Sequence, residues 1–128
     1  MVDETTGIIW LLLTHNPGDT GEAQIKVRKR GGTRTVWLSR NEDNGNTRAP
    51  PVNITASTKD PSWGWYATGP GVGIQIQHGP HRGRLVIPCD YSFQGADRAG
   101  GGPAVEGGSH IISDFLISVE NDLALLGV

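Results

Sequence analysis

His78 and His81 stand close enough in the chain to suggest a metal pair. They share a turn, however, His78-Gly79-Pro80-His81-Arg82-Gly83, and no cysteine or carboxylate there completes a ligand set. Ser109 and His110 suggest an activated hydroxyl, but adjacent residues on a strand point to opposite faces, which keeps hydroxyl and imidazole apart. Gly100-Gly101-Gly102 has the composition of a phosphate loop without its strand–turn–helix context. The basic run with Lys26, Arg28, Lys29, Arg30 and Arg34 has no interleaved aromatics, so it reads as a solvated hairpin rather than a nucleic-acid groove. Cys89 is the single cysteine, which excludes an internal disulfide and a cysteine-based zinc cluster. No metal or other cofactor is expected. The groups left for chemistry are carboxylates and aromatics that bind through hydrogen bonds and flat apolar faces, notably around Trp63-Gly64-Trp65-Tyr66 and Asp90-Tyr91-Ser92.

The elements that must position them are short. The 19 glycines and 8 prolines, about a fifth of 128 residues, point to turns and strands rather than helices. That length suits one domain. A formal net charge of -2 gives no electrostatic reason to expect nucleic acid or an anionic membrane as partner. The start, Met1-Val2-Asp3-Glu4, has neither a basic region nor a following apolar region of signal-peptide type, and the compartment stays open. Residues 8–13 form an apolar run far short of a membrane span.

Residues 8–13, bounded by Gly7 and His15-Asn16-Pro17-Gly18, read as a strand buried on both faces. Ile25 and Val27, alternating with basic residues, read as a half-exposed strand. Thr35-Val36-Trp37-Leu38-Ser39 is rich in β-branched and aromatic residues and reads as another. A turn cluster follows at 41–46, where Asp and Asn can bond their own backbone. Residues 52–55 are a third strand. Gly73-Ile74-Gln75-Ile76-Gln77 alternates with period two, and Arg84-Leu85-Val86-Ile87-Pro88 is a buried-type run. The six residues between them carry turn chemistry, which predicts a β-hairpin. Residues 91–108 read as a Gly-rich loop and His110-Ile111-Ile112 as the start of a strand, while Leu123-Ala124-Leu125-Leu126 suits strand or helix equally. All-β is the expected class, with two runs of antiparallel strands split near Lys59-Asp60-Pro61. Such a pattern fits a sandwich, a barrel or propeller blades.

Three stretches narrow that choice. Thr68-Gly69-Pro70-Gly71-Val72-Gly73-Ile74-Gln75 leads to Gly83-Arg84-Leu85-Val86-Ile87-Pro88-Cys89 and then to Ser109-His110-Ile111-Ile112. This resembles the bacterial exo-α-sialidase (neuraminidase) family, in which a GPGxGIQ strand passes through a hairpin to a RLVxP strand. Upstream, Thr6-Gly7-Ile8-Ile9-Trp10 and Gly32-Thr33-Arg34-Thr35-Val36-Trp37 resemble the strands that precede this region in the family. The resemblance covers roughly residues 3–113. Asn41-Glu42-Asp43-Asn44-Gly45-Asn46-Thr47-Arg48 is similar to the family's Asp-box, S-x-D-x-G-x-T-W: it keeps Asp, Gly and Thr, while Asn41 stands for the Ser and Arg48 for the Trp. Ser113-Asp114 stands where a second box would begin, but residues 115–120 carry neither Gly nor Trp, and the last 15 or so residues depart from the family.

The resemblance implies a six-bladed β-propeller, of which this chain would hold about two blades, given roughly 40–50 residues per blade. The first blade portion would be about 1–58 and the second blade 59–128. It also implies hydrolysis of terminal sialic acids from glycoconjugates, by a tyrosine nucleophile activated by Glu, with an Asp acid/base and three Arg side chains on the sugar carboxylate. Those residues lie outside the matched segment. Tyr66 and Tyr91 are not at the nucleophile's motif, so no catalytic residue is expected here. Pocket wall is expected instead. Glu22 falls where family members place a carboxylate near the sugar. Trp65 and Tyr66 could stack on a sugar ring or its N-acetyl group, and Asp90, Tyr91 and Ser92 sit at a strand end where propeller sites gather. A sialylated glycan is the expected ligand. A different reading is a non-catalytic glycan-binding or self-assembling module, in which copies of the chain associate as a homo-oligomer to complete the ring.

Overall fold

The computed structural model describes residues 1–26, 33–61, 63–69, 71–93 and 109–112. The first sheet is built from β1 (Ile9–His15), β2 (Thr35–Asn41) and β3 (Val52–Asn53), in that order. β1 and β2 pair antiparallel along seven residues, from Ile9↔Asn41 to His15↔Thr35. Of two short helices, α2 (Thr55–Thr58) packs against β2, and α1 (Glu22–Lys26) lies between β1 and β2 in the chain. The second sheet joins β4 (Trp63–Thr68), β7 (Cys89–Phe93) and β8 (Ser109–Ile112), again antiparallel. Between them in the chain lies a hairpin of β5 (Ile74–Gln75) and β6 (Leu85–Val86), registered Ile74↔Val86 and Gln75↔Leu85. The expected all-β, antiparallel class is what the structure has.

Period-two patterning drives the burial. Along β2, Val36 and Leu38 point inward at 0% and 6% exposure, while Trp37 between them stays half-exposed. Trp10, Val36, Leu38 and Ile54 from the first sheet and its flank meet Tyr66, Leu85, Ile87 and Cys89 from the second sheet and hairpin in one apolar core. Each such side chain contributes about 1.5–3 kcal/mol by leaving water.

Polar bonds tie the chain's start to the hairpin. The Asp3 carboxylate accepts from the Thr5 N–H at 2.9 Å, the Thr6 hydroxyl at 2.6 Å and the Gln75 amide at 2.7 Å. Gln75 in turn accepts from the Glu4 N–H at 2.8 Å and donates to the Gly83 carbonyl at 2.9 Å. Burial pushes the Asp3 carboxyl up, but the bonds from Thr6, Thr5 and Gln75 outweigh it and hold the group below its ordinary value.

Several elements differ from the sequence reading. Residues 8–13 are not buried on both faces: Trp10 alone of the run is buried and Leu13 is 37% exposed. Ile25 belongs to a helix rather than a strand. The Gln24 side chain accepts from the Gly21 N–H at 3.0 Å, closing the first turn, and Ile25 is fully buried where α1 meets β4. Thr55 opens α2 instead of extending β3, because the Asn53 carboxamide oxygen accepts from both its N–H, at 3.0 Å, and its hydroxyl, at 2.7 Å. Residues 91–93 continue β7 rather than starting a loop, and β4 is a strand that the sequence did not signal. The readings placed on Arg28, Lys29 and Arg30, on Gly100 to Gly102, on Ser113-Asp114 and on residues 123–126 lie outside the described residues.

Candidate functional site

β4 and β7 lie side by side, and a register shift between Trp63 and Tyr66 decides what each face carries. Without the shift, strict alternation would put Trp63 and Trp65 on one face. With it, Trp63 and Tyr66 share a face and stack at 6.2 Å with an interplanar angle of 9°. Tyr91, paired with Tyr66 across the strands, joins them: its ring lies 3.8 Å from that of Trp63. Tyr66 is fully buried beside Cys89. Burial, then the contact with Cys89, pushes its phenol above its ordinary value, and burial pushes the Cys89 thiol up as well.

Trp65 and Asp90 face the other way. The indole Nε1–H of Trp65 donates to the Asp90 carboxylate at 3.3 Å. The Arg34 guanidinium carbon sits 4.1 Å from the centroid of the Trp65 ring, a cation–π contact. Arg34 reaches it because its own N–H bonds the Gly64 carbonyl at 3.2 Å, which fastens the start of β2 to β4. Partial burial lowers the Arg34 guanidinium from its ordinary value, opposed by the charges of Asp90 and Glu22. Glu22, exposed in the first turn of α1, is thus electrically coupled to the cluster through Arg34. The Arg34 Nε is buried and bonds no partner among the described residues. A donor in that condition wants an oxygen acceptor.

The expected site residues therefore divide. Trp65, Asp90 and Glu22 gather around Arg34, while Tyr66 and Tyr91 lie on the opposite, core-facing side. Ser92 lies in β7 opposite Ser109. Arg34 changes the chemistry expected at Trp65: one face of the indole is already covered by a cation, so the cluster offers hydrogen bonds and charge more than a bare stacking plane. In the sequence Arg34 reads only as part of a solvated basic run. No local signal marks it, because Arg34 precedes β2 in the chain and its partner Trp65 lies in the other sheet.

Two other polar features lie away from the cluster. In the turn after β2, the Asp43 carboxylate accepts from the Thr47 hydroxyl at 2.6 Å and its N–H at 2.9 Å. The Asn41 side chain accepts from the Gly45 N–H at 2.6 Å and donates to the Thr47 carbonyl. Asn44 and Gly45 take positive φ, 57° and 92°. Bonds from Thr47 hold the Asp43 carboxyl below its ordinary value. A shallow notch of about 260 Å³ lies between Glu4, Thr5 and the hairpin, where Gln77 donates to Glu4 at 3.1 Å. Among the described residues no group of three or more His, Cys, Asp or Glu side chains could hold a metal.

No family model matches the chain. Curated proteins do. A sialidase of Bacteroides fragilis is 32% identical across 71% of this chain, and an exo-alpha-sialidase of Aspergillus fumigatus is 40% identical across 45%. The solved structure of a Hadza microbial sialidase, Hz136, superposes with a TM-score of 0.57 at 33% identity over 72% of this chain. The chain carries a sialidase-family segment. It spans 17% and 13% of the lengths of the two curated sialidases and 18% of the solved one. The sialidase kinship expected from the hairpin at 69–88 and its flanks is thus found by sequence and by fold.

Proposed function

We propose that this sialidase segment is part of a β-propeller whose full form hydrolyses terminal sialic acids from glycoconjugates, and that the segment supplies pocket wall without the catalytic groups. The observation that carries this reading is the Arg34–Trp65–Asp90 cluster, with Glu22 coupled to it. It combines fixed donors, a carboxylate acceptor and an indole edge on one face of a sheet, which suits the hydroxyl and amide groups of a sugar. Tyr66, whose phenol is kept protonated by burial, and Tyr91, stacked in the aromatic layer, are poor candidates for a base-activated nucleophile. The turn around Asp43 supports the Asp-box reading: Asp43 and Asn41, which stands for the box's Ser, both accept from backbone N–H groups of the turn. The two sheets, drawn from residues 9–53 and 63–112, support two blade portions.

A fluorogenic sialoside assay on the purified chain tests the absence of catalysis. Turnover at buffer level is expected; clear turnover would place catalytic residues inside this segment. A second reading, assembly of copies into a larger ring, is favoured by Val72 and Ile74, which are 86% and 60% exposed beside and on the two-stranded hairpin. Solution mass decides it: a trimer or larger ring is expected on that reading, and a monomer removes it.

A further inference from the structure

Lys59 follows α2 and is 6% exposed, although it carries an ammonium. Its Nζ donates to the Thr33 hydroxyl, to the Arg34 carbonyl at 2.9 Å and to the Gly64 carbonyl at 3.0 Å. The Thr33 hydroxyl passes its own proton on toward the Gly64 carbonyl at 3.4 Å. These acceptors match the three N–H donors of a lysine. They also belong to the two backbone segments that carry the cluster: Arg34 itself, and Gly64, which immediately precedes Trp65. One buried cation therefore clamps both halves of the Arg34–Trp65 contact, across sequence separations of 25 and 5 residues.

We infer that Lys59 is a positioning residue for the Arg34–Trp65–Asp90 cluster, setting the distance at which the guanidinium meets the indole. This rests on the functional reading above only for what the cluster binds. Burying an ammonium is costly unless its bonds are complete and well directed. A core whose only need was to join two sheets would be served as well by an apolar side chain. The carbonyls chosen belong to Arg34 itself and to Gly64, which adjoins Trp65 and is one residue further from Tyr66. Removing the cation should therefore loosen the position of Trp65 before it loosens Tyr66.

The test uses the full 15N-labelled chain, free and titrated with N-acetylneuraminic acid. In Lys59→Met the indole N–H resonance of Trp65 should leave its native position, and sugar affinity should fall roughly tenfold, the scale of coupling within one bonded network. Leu38→Ala, which opens the core elsewhere in β2, should lower thermal stability while leaving both readouts near wild type. If Lys59→Met does not fold, Thr33→Val, which removes one acceptor and keeps the charge, should move the Trp65 resonance in the same direction by less. A Trp65 resonance unmoved in whichever of these variants folds would overturn the proposal. If the wild-type chain binds no sugar, the sialidase-wall reading fails, while the resonance shift still decides the role of Lys59.

Discussion

The two faces of the β4–β7 pair carry similar residue types and have opposite characters. On one, Trp63, Tyr66 and Tyr91 stack into a layer that closes the core, with a phenol raised by burial. On the other, a tryptophan of the same short strand is bonded to a carboxylate and covered by a guanidinium. Trp63 and Trp65 are two residues apart, so an unbroken strand would have put them together. The register shift separates them. A local irregularity, not composition, thus assigns one aromatic to stability and the other to the candidate site.

The largest effect should come from the buried face. Tyr66→Ala should cost about 3–5 kcal/mol, as for other large aromatic truncations in cores. Denaturant unfolding measures it, and a cost below that of Trp65→Ala would reverse the assignment of faces. Arg34→Ala should lower sugar affinity and, in a double-mutant cycle with Trp65→Ala, show a coupling of about 0.5–1 kcal/mol, the range for partly exposed cation–π pairs. Additivity of the two substitutions would mean that the contact contributes nothing.

The alkaline limb distinguishes the faces by titration. Cys89 and Tyr66 both have folded values raised above their ordinary 9.0 and 10.0. Below those ordinary values both states are neutral and the stabilisation is complete. As pH rises through them the unfolded chain ionises first, so stability falls. Cys89→Ala should flatten the loss between about pH 9 and 10, whereas Glu22→Gln, on the other face, should leave its slope unchanged. On the acid side the signs reverse. Asp3 and Asp43 have folded values below the ordinary 3.8, so stability present above that pH is lost as it falls toward the folded values. The smallest effect is expected for Asp43→Asn, which should move the acid unfolding midpoint slightly upward by weakening the turn at neutral pH. A midpoint that does not move would show that Thr47's bonds add nothing measurable.

What the sequence revealed follows physical range. β1, β2, the β5–β6 hairpin and β8 were legible because branched and aromatic residues, alternation and turn residues are local signals. The helices were not, since five and four residues are too few to display a 3.6 period, and side-chain bonds from Gln24 and Asn53 decide them. β4 was hidden by Gly64 and by the shift that breaks its alternation. Glu22, Trp65 and Asp90 could be singled out by type and by family position, but their separation from Tyr66 and Tyr91 depends on that same shift. Lys59 could not be found from the chain alone, because two of its acceptors are 25 and 26 residues away.

The central claim is that the Arg34–Trp65–Asp90 face meets the ligand and the Tyr66–Tyr91 face does not. A 1H–15N titration of the wild-type chain with N-acetylneuraminic acid tests it most directly. Saturable movement of the Trp65 indole and of the Arg34 and Asp90 amides, with Tyr66 and Cys89 unmoved, is the expected result. Movement confined to Tyr66 and Tyr91, or none at a sugar excess that saturates intact sialidases, would contradict it.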